Sequence, residues 1–128
     1  MIRTFGLTHV ALAVTDPRRS AVFYSSVFGM KAVYEDDDFI QLQTPGTYDV
    51  LVLQRDATRA GREGGVVHFG FRLQDPSQIE AAVEQIEAAG GRIRDHGEFV
   101  PGEPYVFFDD PDGYEVEVWF ELPTPVDP

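Results

Sequence analysis

From Leu7 to Val14 the run LTHVALAV is apolar at almost every position, the pattern of a buried strand. It stops at Asp16-Pro17, where the carboxylate can cap a helix and the proline suits its first turn. This predicts a helix over Pro17–Phe28, closed by Gly29. A second stretch repeats the signals: Asp75 caps, Pro76 opens, and Ile79, Ala82, Val83, Ile86 and Ala89 form an apolar stripe at helical spacing before Gly90-Gly91, which reads as core. Shorter alternating runs predict strands at Ala32–Tyr34, Asp38–Gln43 and Asp49–Gln54, then at Gly91–Glu98, Tyr105–Asp109 and Tyr114–Phe120. Gly46 and the turn Asp110–Gly113 break the last pair in each half. The expected fold class is α+β: two tandem βαβββ modules, about 1–60 and 61–128 of a single domain, forming a curved mixed sheet around a metal cleft.

The two halves also share residues. HVALAVTDPRRS from His9 aligns with HFGFRLQDPSQI from His68 at an offset of 59, matching His9 with His68, Asp16 with Asp75 and Pro17 with Pro76. Farther on, QLQTPGTYDVLVL from Gln41 aligns with FFDDPDGYEVEVW from Phe107 at an offset of 66, matching Pro45 with Pro111 and Tyr48 with Tyr114. The repeat therefore sets two histidines at the same point of equivalent strands. On this alignment Glu117 stands where the first half has Leu51.

Strand alternation gives His9 the face of Ala11 and Ala13, and His68 the face of Gly70 and Arg72, leaving space beside both rings. Glu117 lies mid-strand with Glu115 and Trp119, a costly position for a carboxylate that nothing neutralises. His9, His68 and Glu117 are thus the expected metal ligands, a facial triad of two imidazoles and one carboxylate with open coordination positions. One divalent ion is expected there, with Fe(II) favoured and Zn, Ni, Mn or Co as alternatives. The chain has no cysteine, so any metal must take nitrogen and oxygen donors. His96, outside the repeat, is the candidate catalytic acid or base. Gln41, Leu51, Tyr105, Phe107 and Trp119 are expected to line a substrate pocket.

Charge narrows the partners. The net charge is −12, with six basic against seven acidic residues up to position 60 and four against fifteen beyond it. So acidic a surface repels phosphate backbones, which excludes nucleic acid as an expected partner. The run Glu35–Asp38 lacks the spacing and glycine of a calcium loop and reads as a connection between strands. No apolar run reaches the length of a membrane span, and the expected location is cytoplasmic.

With these residues the chain resembles the vicinal oxygen chelate superfamily, the group of glyoxalase I, extradiol dioxygenases, fosfomycin-resistance enzymes and bleomycin-resistance proteins. The resemblance runs from Gly6 to about Phe120 and is most specific at FFDDPDGYEVEVWF, where a D-P-x-G turn precedes the carboxylate. It implies paired βαβββ modules, a divalent metal on His9, His68 and Glu117, a substrate that chelates it through two adjacent oxygens, and a homodimer. Glyoxalase I takes a fourth ligand from the first module, whereas the matching position here is Leu51. Extradiol dioxygenases place a histidine and then a tyrosine before the turn; here stand His96 and Phe107.

Two functions follow as expectations. The first is a metal-dependent enzyme on a small oxygen-rich molecule, most like an extradiol-type dioxygenase or a glyoxalase-related lyase or isomerase. The second is a bleomycin-resistance-like binding protein that sequesters an aromatic or drug-like ligand, with Tyr24, Phe39, Tyr105, Phe107 and Trp119 as its walls.

Overall fold

Asp16 lies in extended backbone and its carboxylate accepts the Arg18 N–H at 3.0 Å, which starts the first helix, α1 (Pro17–Phe28), at the expected residue. Gly29, at φ 67°, adopts the left-handed conformation that ends the helix, its N–H reaching the Ser25 carbonyl. The computed structural model describes residues 1–122, which fall into two units dividing at Arg62 and Glu63. Both are α+β, each a four-stranded mixed sheet with one helix.

In the first module β1 (His9–Val14), β2 (Lys31–Glu35), β3 (Phe39–Gln43) and β4 (Val50–Arg55) are ordered β1-β4-β3-β2. The β1–β4 pairing is parallel and the others are antiparallel. Leu12, Val14, Ile40, Leu42, Leu51 and Leu53 are buried from this sheet, together with Phe23 and Tyr24 of α1 and Met30. Tyr24 is fully buried against Phe23 and Phe28, so it is core and not the pocket wall expected from its aromatic character. The acidic run forms the connection between β2 and β3, as its composition implies, with Asp36 accepting the Asp38 N–H and donating its own N–H to the Phe39 carbonyl.

The second module repeats the plan with β5 (Phe69–Arg72), β6 (Arg92–Glu98), β7 (Pro104–Asp109) and β8 (Glu115–Trp119), ordered β5-β8-β7-β6. Asp75 caps as expected by accepting the Ser77 N–H at 2.9 Å. What it opens is a 3-10 turn, Pro76–Gln78, and the helix proper, α2, runs Ile79–Ala88. Of the expected stripe only Ile86 is fully buried; Ile79, Ala82, Val83 and Ala89 are half-covered. The hairpin before β8 turns on buried Asp110, whose carboxylate accepts the N–H groups of Asp112 and Tyr114 at 2.9 and 3.0 Å. Gly113, at φ 90°, supplies the left-handed step. No helix among the described residues is long and apolar enough to cross a membrane.

Candidate metal and ligand face

In the second module Val106, Phe108, Val116 and Val118 are buried on the side of the sheet that packs on α2. Alternation turns Tyr105, Phe107, Glu115, Glu117 and Trp119 to the opposite side, where each is half-exposed. Two rows of this face matter. Gly70, Glu117, Phe107 and Asp95 lie in one row across β5, β8, β7 and β6; Trp119, Tyr105 and Gly97 lie in the next. His68 immediately precedes β5, and its ring stands edge-on to Phe107 with centroids 5.1 Å apart.

Gly70 sets the spacing of the first row. A methyl group there would sit 3.0 Å from the Glu117 carbonyl oxygen and 3.2 Å from both the Glu117 Cβ and the Trp119 ring. A strand glycine with backbone and side chain this near is a close-approach position.

Most of the charge on this face is matched. Arg94 binds Asp109 and lies 3.5 Å from Glu115, Arg92 reaches Asp109 at 3.3 Å, and Arg72 reaches Glu121 at 3.5 Å. Glu117, between these pairs, has no hydrogen bond or salt bridge among the described residues. Burial pushes its carboxyl above the ordinary value; His68 pulls it back toward the charged form, and Glu115 adds to the upward push. His68 and Glu117, two of the three expected ligands, are thus electrostatic neighbours within one module.

On β6 a bulge between Ile93 and Asp95 shifts the alternation by one residue. Counted from core-facing Ile93 without it, His96 would share the face of Glu117. With it His96 pairs with Val106 on the other side of the sheet, Asp95 and Gly97 follow Glu117's side, and Phe99, just past the strand's end, stacks on Tyr105 of that side. The role expected of His96 is corrected accordingly: its strand turns it away from Glu117. Sequence reasoning missed Asp95, Gly97 and Phe99, although a glycine inside a strand was a usable sign. All three engage Tyr105. Asp95 accepts its hydroxyl at 3.0 Å, Phe99 stacks on its ring at 4.1 Å, and Gly97 leaves space for it, since a methyl there would lie 3.3 Å from the hydroxyl oxygen. The rings of Tyr105 and Phe107 are 5.5 Å apart, so an aromatic surface runs from Phe99 to His68.

In the first module the corresponding face carries His9 and Ala11 on β1, Val52 on β4 and Gln41 on β3. His9 is exposed at the head of β1, as His68 is exposed at the head of β5. Gln41 pairs with Val52 just as Phe107 pairs with Glu117, so the structural counterpart of Glu117 is Val52. The alignment that matched Leu51 to Glu117 slips by one because the hairpin connection Thr44–Asp49 is one residue longer than Asp110–Tyr114. Leu51 pairs with buried Leu42 and is 4% exposed, so it is a core residue and not a pocket residue. Phe39 is half-buried, edge-on to Tyr34.

Within neither module, among the described residues, do three histidines or carboxylates gather closely enough to hold an ion by themselves. The second module offers one imidazole and one uncompensated carboxylate, a nitrogen and oxygen pair that fits a borderline divalent cation.

Residues 6–118 match the model of the Glyoxalase/Bleomycin resistance protein/Dioxygenase superfamily. The chain is 26% identical to the manganese-dependent 2,3-dihydroxybiphenyl 1,2-dioxygenase of Geobacillus genomosp. 3 over 99% of its own length and 39% of that protein. It is 30% identical to the trivalent organoarsenical cleaving enzyme of Bacillus sp. (strain MD1), covering 91% of this chain and 73% of that one. The first curated relatives are much longer, and the chain spans little more than a third of their length. Among solved structures, the fosfomycin resistance protein FosX of Listeria monocytogenes superposes with a TM-score of 0.78 at 21% identity, over 95% of this chain and 96% of the other, a likeness of fold.

Proposed function

Because the chain belongs to the Glyoxalase/Bleomycin resistance protein/Dioxygenase superfamily, we propose that it is a divalent-metal-dependent enzyme on a small substrate with two adjacent oxygens, of the extradiol dioxygenase kind. The observation that carries the reading is Glu117: alone among the acidic residues of its face it is held half-buried with no cation, beside His68. A carboxylate kept in such a place is destabilising unless a positive charge arrives. His9 is proposed as a further ligand on the strength of the repeat alone, since it opens β1 where His68 immediately precedes β5. Iron and manganese are the proposed ions.

Bound there with open coordination positions, such an ion supplies a Lewis acid and an electron donor toward dioxygen. The chain's own residues do the rest. Glu117 contributes the anionic donor and His68 a neutral one. Phe107, flanked by His68 and Tyr105, gives a planar substrate an apolar surface and keeps water from it. Val52, the first-module counterpart of Glu117, offers no donor atom, so the first module repeats the histidine and not the carboxylate. Without cysteine the chain has no thiolate for a soft substrate such as trivalent arsenic, which favours oxygen ligands.

A second reading, an aromatic-binding protein without a metal, draws on the same Phe99, Tyr105 and Phe107 cluster. It leaves Glu117 without a purpose. The two are separated by loading metal-free protein anaerobically with Fe(II) or Mn(II), then adding catechols with and without oxygen. The enzyme reading expects one tightly held ion per chain, its loss in Glu117→Gln, and oxygen-dependent ring opening of at least one catechol. Unchanged metal content in Glu117→Gln would overturn it, and aromatic binding by a protein that takes up no metal would favour the alternative.

A further inference from the structure

One side of β6 is given over to orienting a single phenol. At positions set by the bulge Asp95 accepts its O–H and Gly97 leaves room for its ring, and Phe99, just past the strand's end, stacks on that ring. The commitment of the proton has a chemical consequence. A tyrosine hydroxyl has one hydrogen to give, and with that hydrogen on Asp95 its oxygen faces an incoming molecule only as an acceptor. The adjacent carboxylate makes that acceptor stronger and the spot inhospitable to anions.

Tyr105 is also placed to act on what Glu117 holds. It pairs with Trp119, two residues along from the Phe107–Glu117 pair, so it lies about 7 Å from that row on the same face. A ring bound over Phe107 with its oxygens toward Glu117 would carry its far substituent toward Tyr105. We propose that the Tyr105–Asp95 pair is a specificity-determining subsite that selects, among aromatic vicinal diols, those whose side group carries a hydrogen-bond donor, above all a cationic ammonium. The proposal rests on the reading of Glu117 as the oxygen-binding end. Phe99 and Gly97 act through Tyr105 as positioning residues.

Trp119 is the only tryptophan in the chain and lies opposite Tyr105, so its emission reports occupancy of this face without turnover. The test is anaerobic titration of the metal-loaded and metal-free protein with dopamine, propylcatechol and hydrocaffeate, which end in an ammonium, a methyl group and a carboxylate. Wild type is expected to prefer them in that order. Tyr105→Phe, which keeps the ring and its stacking, should weaken dopamine roughly tenfold, leave propylcatechol within about twofold and leave metal content unchanged. Asp95→Asn should erase the preference for dopamine over hydrocaffeate while retaining propylcatechol. Dopamine binding unaltered in Tyr105→Phe, or hydrocaffeate bound best by wild type, overturns the subsite even if Glu117-dependent metal binding stands. The expected preference in a protein that takes up no metal upholds the subsite and overturns the enzyme reading instead. Failure to bind any of the three removes both.

Discussion

Gly70 lies directly across the parallel β5–β8 pairing from Glu117, and even a methyl group there would be in tight contact with β8. The nearest neighbours of an added methyl are a backbone oxygen at 3.0 Å and the Trp119 ring at 3.2 Å, and the first cannot swing away. Gly70→Ala is therefore expected to push β8 outward, costing about 1–3 kcal/mol of stability. It should also move both the carboxylate and the indole. Denaturant unfolding and Trp119 emission check the two effects, and an unshifted emission maximum with unchanged stability would refute the close approach.

Glu117 is expected to weaken the metal-free fold. Burial raises its carboxyl, and a raised carboxyl means that the ionised form is less stable folded than unfolded, so the penalty sets in as pH rises above the ordinary glutamate value. Glu117→Gln, which keeps the shape and drops the charge, should raise the Tm of metal-free protein while abolishing the rise that Mn(II) gives the wild type. A lower Tm for the metal-free variant would mean that the carboxylate has a partner after all.

The elements were legible because their signals are local. Asp16, Pro17 and Gly29 act within one helical turn of themselves, and the duplicated plan follows from the same signals recurring at Asp75 and Pro76. Faces were less legible, because the side on which a strand residue points depends on counting, and a single inserted residue reverses the count. The bulge in β6 turns His96 away from Glu117, and Leu51 was matched to Glu117 through a hairpin connection one residue longer in the first module. Short identities such as Tyr48 with Tyr114 carry no information about register. Phe107 and Trp119 lay on strands without such irregularities, and they share Glu117's face as alternation implies.

Leu51→Ala separates the register from the alignment. Leu51 is buried among Leu42 and Leu53 on the helix side of its sheet, so truncation should cost about 2–4 kcal/mol by opening a cavity. Metal stoichiometry and catechol affinity of the folded fraction should stay at wild-type values. A loss of ligand affinity out of proportion to the loss of fold would return Leu51 to the pocket.

Asp56 closes the turn after β4, accepting from the Arg59 guanidinium at 2.7 Å and the Thr58 hydroxyl at 2.7 Å. With Arg59 first among the causes, its carboxyl is lowered from 3.8 to about 2. A lowered carboxyl contributes stability above its unfolded value, and that contribution disappears as pH falls from about 4 through about 2. Asp56→Asn should therefore unfold at a lower Tm than wild type at neutral pH, with the gap closing across that window. Parallel Tm curves down to pH 2 would show the contact to be of no consequence.

Two histidines of the second module should respond in opposite ways to truncation. His96 pairs with Val106 on the α2 side of the sheet, whereas His68 stands edge-on to Phe107 and pulls the Glu117 carboxyl toward its charged form. His96→Ala is accordingly expected to leave metal content, dopamine affinity and turnover within about twofold of wild type, its exposed position making it a near-neutral change. His68→Ala removes a proposed ligand together with an edge of the aromatic surface. Second-row effects on metal ligands commonly reach 10–100-fold, so loss of a ligand itself should weaken Mn(II) by at least about a hundredfold. Addition of imidazole should restore part of that binding, which a merely structural role for the ring would not allow. Reversal of the pattern, with His96→Ala silencing the protein and His68→Ala tolerated, would place the chemistry on the opposite side of this sheet.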